Sequence, residues 1–192
     1  NSIVLVKNAG CLLWNNYDYY GMLIVVIVTG GRMPDSETAR RVLSKLFAHR
    51  PVADLPTLQQ ALGVASRTSV FRALSPLGYL TSYSHAGRYY TLEQIPRFDQ
   101  EGLWAHGDVL FSRHGTLRAS IIYLVERALD GQSHAELQVR LRLRVHDTLR
   151  SLVSDNRIGR IAMERLYLYV SIDQAISQSQ LLERQRLLSI ET

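Results

Sequence analysis

The chain has 192 residues, 46% hydrophobic and 20% charged, the composition of an ordinary globular protein with room for one domain or two small ones. Cys11 is its single cysteine, which excludes an intrachain disulfide, and its six histidines lack the HxxxH or CxxC spacing of a structural zinc site. The formal charge of +5 is a mild excess that favours an anionic partner. Nearly all of the basic residues are Arg, whose planar fork suits phosphates and base edges; GC-rich coding enriches Arg as well, so the count alone decides nothing.

Residues 1–32 read as an apolar leader. "SIVLV" and "MLIVVIVTGG" are β-rich runs separated by "NNYDYYG". The longest apolar run, Met22 to Val28, falls far short of the roughly 20 residues of a membrane-spanning helix. No basic cluster precedes it as in a secretory signal. Met33 stands directly before a good helix start, so the leader reads as upstream sequence, a fusion remnant or an N-terminal strand pair, and the expectation is an appendage that the core can do without.

From Met33 the period becomes helical. Ala39, Val42, Leu43, Leu46 and Phe47 form one stripe, opened by Pro34, Asp35 and Ser36 and closed by the prolines of "HRPVADLP". Thr57 and Gln60 read as a capping box for a second helix ending at Gly63. Ser66 caps a third, 66–75, with Val70, Phe71 and Leu74 inward. "YLTSYSHAGRYYTL", 79–92, then alternates around a turn near Ala86 and Gly87, as a β-hairpin does.

The segment 93–112 carries Phe98, Leu103, Trp104, Val109, Leu110 and Phe111 among turn residues, which predicts a packed bridge rather than a flexible linker. The first order then recurs over 113–171. A stripe of Leu117, Ile121, Leu124, Val125 and Ala128 is followed by a capping box at Ser133 and Glu136. A third helix carries Val145, Leu149 and Leu152, and "RIGRIAMERLYLYV" makes a second hairpin. Matching Val70, Leu74 and Leu77 to Val145, Leu149 and Leu152 requires an offset of 75, whereas the hairpins require 78, so "SDN" reads as a three-residue insertion. "LRLRV" also admits a strand. Residues 172–192 predict a C-terminal helix that either folds back on the domain or pairs with a second copy of the chain, a homodimer being expected through this helix or through the bridge.

This doubled order resembles two tandem winged helix-turn-helix domains, 33–92 and 113–171, of the kind found in bacterial transcription regulators. The resemblance implies a mainly helical α+β fold with small hairpin wings, a cytoplasmic location, and double-stranded DNA as partner. The third helix would enter the major groove and the wing would grip the backbone or minor groove. In the first repeat the candidate contacts are Ser66, Arg67, Thr68, Ser69 and Arg72 on the helix, with Ser84, His85 and Arg88 on the wing; the helix face alone also reads as plain solvated surface. In the second they are Arg142, Arg144, His146, Arg150, Arg160 and Arg165, a denser set interrupted by Asp147 and Glu164.

No catalytic motif is present: there is no phosphate-binding glycine loop, GxSxG or HExxH. Ser112 and His114, two residues apart, read as helix capping rather than as nucleophile and base. Neither a cofactor nor a metal is expected. The alternative to a regulator is a protein-interaction scaffold or accessory subunit built from the same two domains.

Overall fold

In the computed structural model the described residues are 34–163 and 166–190. The apolar leader therefore lies outside the described residues, as does Arg165. Among the described residues seven α-helices and eight short strands make a mostly helical α+β arrangement with small antiparallel sheets.

The first repeat runs α1 (Ser36–His49), β1 (Ala53–Asp54), α2 (Leu55–Leu62), α3 (Arg67–Leu74), β2 (Tyr79–Thr81) and β3 (Tyr89–Leu92). Its sheet has the order β1-β3-β2. α1 buries Ala39, Leu43 and Phe47 at four-residue spacing and ends where Arg50 turns extended before Pro51, a position that disfavours helix. The start of α2 differs from the sequence expectation. Asp54 is its cap, accepting from the Thr57 N–H at 3.1 Å and from the Thr57 hydroxyl at 2.5 Å. Pro56 is tolerated inside the first turn because the N–H it lacks has no helical acceptor there. Gly63 closes the helix in the left-handed conformation, φ +65°.

The bridge folds into a two-stranded hairpin, β4 (Leu103–His106) and β5 (Val109–Ser112), which the sequence reading did not resolve into strands. Its two faces serve different cores, as strand alternation allows. Val109 and Phe111, with Trp104, pack on Val52, Leu80 and Tyr89 of the first repeat. Leu103 joins the core of the second repeat.

The second repeat repeats the order as α4 (Leu117–Arg127), β6 (Gln132–Ser133), α5 (His134–Leu141), α6 (His146–Ser154), β7 (Gly159–Ala162) and β8 (Tyr167–Val170), with sheet order β6-β8-β7. The Ser133 and Glu136 capping box at α5 is fully formed. Thr116, not Ser112, caps α4; the Ser112 hydroxyl is buried and accepts from that of Ser120 at 2.7 Å. α5 gives way to a left-handed Arg142, φ +52°, so "LRLRV" is a helix end and turn rather than a strand.

The correspondence between the repeats is also corrected. Asp54 and Ser133, Leu58 and Leu137, Ser66 and Val145, and Tyr90 and Tyr169 are each 79 residues apart and occupy matching places in cap, core and sheet. Val70 N donates to Ser66 O, and Leu149 N to Val145 O, so Val70 matches Leu149. Val145 lies at the cap of α6 rather than within it. The offset of 75 is wrong by one helical turn, and the "SDN" insertion is not needed.

The last element, α7 (Gln174–Ile190), folds back on the second repeat and lies against β8. Gln180 is 1% exposed; it accepts from Ser171 N at 2.9 Å and donates to Val125 O at 2.7 Å and Ala128 O at 2.8 Å. Arg184 donates to both oxygens of the Glu136 carboxylate at 2.9 Å and pairs with Asp130 at 3.1 Å. Burial alone would raise Glu136, but the bonds from Arg184 and Ser133 outweigh it and hold the carboxyl below its usual range. No helix among the described residues is long and apolar enough to cross a membrane.

Candidate nucleic-acid interface

α3 is amphipathic at the finest scale an eight-residue helix allows. Val70 and Leu74 are 0% exposed and join the first core, with Phe71 packed beside them. That assignment turns Arg67, Thr68 and Arg72 outward. Ser66 is the cap, its hydroxyl accepting from Ser69 N at 3.4 Å, and Ser69 is half-buried. The Arg67 guanidinium carbon lies 5.3 Å from the centre of the Phe71 ring, which restrains its direction. Among the described residues neither Arg67 nor Arg72 has an acidic partner, so both charges are available to a polyanion.

The first wing, expected to grip the backbone or minor groove, is docked on β5 instead of standing free. Ser84 is 2% exposed: its hydroxyl accepts from Leu110 N at 2.9 Å and lies 3.0 Å from His85 Nδ1. Tyr83 N donates to Leu110 O at 2.9 Å, so the loop attaches to β5 as a partial further strand. Ser82 is buried as well, donating to Ser84 O at 3.0 Å. Ser84 is therefore removed from the contact set, and the physical reason is that β5 satisfies it. His85 and Arg88 remain exposed, but His85 Nε2 stands 3.4 Å from an Asp108 carboxylate oxygen at the β4–β5 turn. The tip takes the left-handed conformation three times running, at His85, Ala86 and Gly87. For the two side-chain-bearing residues this costs about 1 kcal/mol or more each, and docking onto β5 holds the turn in place.

Beneath the tip, Tyr83 reaches across the molecule. Its hydroxyl donates to Leu141 O at 3.1 Å and its ring packs on the second core. Burial pushes it up to about 12; Arg142 opposes that shift and Asp99 adds to it. A salt bridge between Arg140 and Glu101 ties the bridge to α5 nearby. The Tyr83 role leaves no local pattern in the chain, because its partner is a main-chain carbonyl 58 residues away.

α6 presents a more mixed face. His146, Asp147 and Arg150 are exposed, as are Arg142 and Arg144 in the preceding turn. Asp147 occupies, relative to the cap, the place of Thr68 in α3. Ser151 and Asp155, further along, are engaged by Arg118 at 2.7 and 2.6 Å. The second hairpin keeps an open side, with Arg160 exposed and its guanidinium carbon 4.7 Å from the ring of the exposed Tyr167. Arg157, not among the predicted contacts, is exposed on the turn before β7.

The structure thus gathers Ser66, Arg67, Thr68 and Arg72 on one helix, leaves His85 and Arg88 on a docked loop, and places Arg142, Arg144, His146, Arg150 and Arg160 on the other repeat. Comparison of the chain with protein-family models, with curated proteins and with solved structures finds no match.

Proposed function

We propose that this chain is a double-stranded-DNA-binding protein of tandem winged-helix type, acting as a transcriptional regulator, with α3 of the first repeat as its reading helix. The reading rests on one observation. α3 turns Arg67, Thr68 and Arg72 outward from a cap at Ser66, with both cations free of ion pairs among the described residues, while Val70 and Leu74 anchor it. Arg67 or Arg72 can bond a guanine edge in bidentate fashion, and Ser66 and Thr68 can reach phosphate. The second repeat contributes cations from Arg150, Arg157 and Arg160, although Asp147 makes α6 the poorer groove element.

The test is binding to duplex DNA at two salt concentrations. Affinity is expected to fall steeply with salt; replacing Arg67 and Arg72 together by Ala weakens binding at least tenfold and reduces the salt slope by about two. Salt-independent binding, or a double variant that binds like the parent, refutes the reading.

A second reading is favoured by the docked first wing: with Ser84 sealed and His85 facing Asp108, the repeats serve as a protein-interaction scaffold. On that reading the double variant keeps a stoichiometric protein partner in nuclease-treated solution, and DNA binding is absent from the start.

A further inference from the structure

A cleft of about 320 Å³ opens between the bridge and the second repeat. Tyr123, Leu124 and Ala128 at the end of α4 form its apolar wall, and Leu129 stands at its mouth. Leu129 is 81% exposed, an aliphatic side chain that the described chain leaves in water beside an apolar wall. Tyr123 is held on its other side by His114, stacked at 3.9 Å between ring centres. The volume is at the small end of ordinary ligand pockets.

The charges around the cleft decide the class of occupant. Glu101 is paired with Arg140, and Asp130 shares Arg184 with Glu136. Arg127, exposed and 6.0 Å from the Tyr123 ring centre, has no acidic partner among the described residues. A guanidinium that makes no ion pair, beside an aromatic and aliphatic wall, matches an anion with an apolar body.

We propose that this cleft binds a small apolar carboxylate, its carboxyl paired with Arg127 and its body lying on Tyr123, Leu124 and Leu129. Glu101 of the bridge lines the same cleft as Tyr123 of α4, so the site lies where the two segments meet. The site is separate from α3 and does not depend on the DNA-binding reading.

The test titrates phenylacetate into the intact chain and follows amide chemical shifts, with acetate and phenethylamine as probes lacking the ring or reversing the charge. Saturable shifts centred on 123–129 are expected with phenylacetate alone. Arg127→Gln is expected to weaken the interaction about tenfold, and Leu129→Asp to remove it; both positions are exposed, so the fold tolerates the changes. Equal binding of phenethylamine, an unaffected Arg127→Gln variant, or shifts without saturation overturns the assignment.

Discussion

The two repeats share one strand order but are closed over by unlike material. The first sheet is backed by the β4–β5 hairpin, through Val109 and Phe111 against Val52, Leu80 and Tyr89. The second is flanked by α7, which is held largely by the polar side chains Gln180 and Arg184 on backbone carbonyls and carboxylates. An apolar cover draws its strength from buried area and is indifferent to pH, whereas a hydrogen-bonded clamp depends on direction and charge. The same architecture therefore contains one junction that rests mainly on buried apolar area and one that rests mainly on directed, charged contacts.

The largest expected effect strikes the apolar cover. Phe111 is 0% exposed, and Phe111→Ala leaves a cavity costing about 3–5 kcal/mol, read as a loss of denaturation midpoint; a cost below about 1 kcal/mol would mean that the hairpin is not anchored there.

Next comes the clamp. Arg184→Met strands Glu136 and Asp130, and costs about 2 kcal/mol in urea unfolding. This is less than for a fully buried pair, because Glu136 and Asp130 keep side-chain exposures of 37% and 25%. Its pH signature separates the two covers. Glu136 is lowered in the folded chain, so its contribution is present above the unfolded carboxyl value, about 4.3, and is lost as pH falls toward the folded value. Glu136→Gln should flatten that acid limb of thermal stability, and Phe111→Ala should leave it unchanged.

The smallest effect belongs to the tie between the repeats. Tyr83→Phe removes the bond to Leu141 O and costs about 1 kcal/mol at neutral pH. Since the folded hydroxyl titrates near 12, above the unfolded value of about 10, the parent loses stability as pH rises between those values. The Phe variant should lose this alkaline slope in the same melting experiment.

Much of this was legible in the chain. The helical stripes, the Ser133 and Glu136 box, the Ser66 cap and the outward face of α3 follow from local periodicity. What failed did so for physical reasons. A hydrophobic helix pattern nearly repeats after one turn, so Val70 could be matched to Val145 instead of Leu149 without visible penalty. Asp54 lies ahead of a proline and concealed a cap that Thr57 mimicked. β1 and β6 are only two residues long and have no period to read. Ser84 resembles an exposed turn residue until β5 supplies its donor, a contact between segments 26 residues apart.

The Tyr83 tie has a consequence for how the molecule comes apart. A ring rooted in the first repeat and embedded in the second makes each half part of the other's solvent shield, so damage to one is transmitted to its neighbour. α3 and α6 then belong to two cores joined by that ring, so the separation between their outward faces is limited by the protein and not only by whatever it grips.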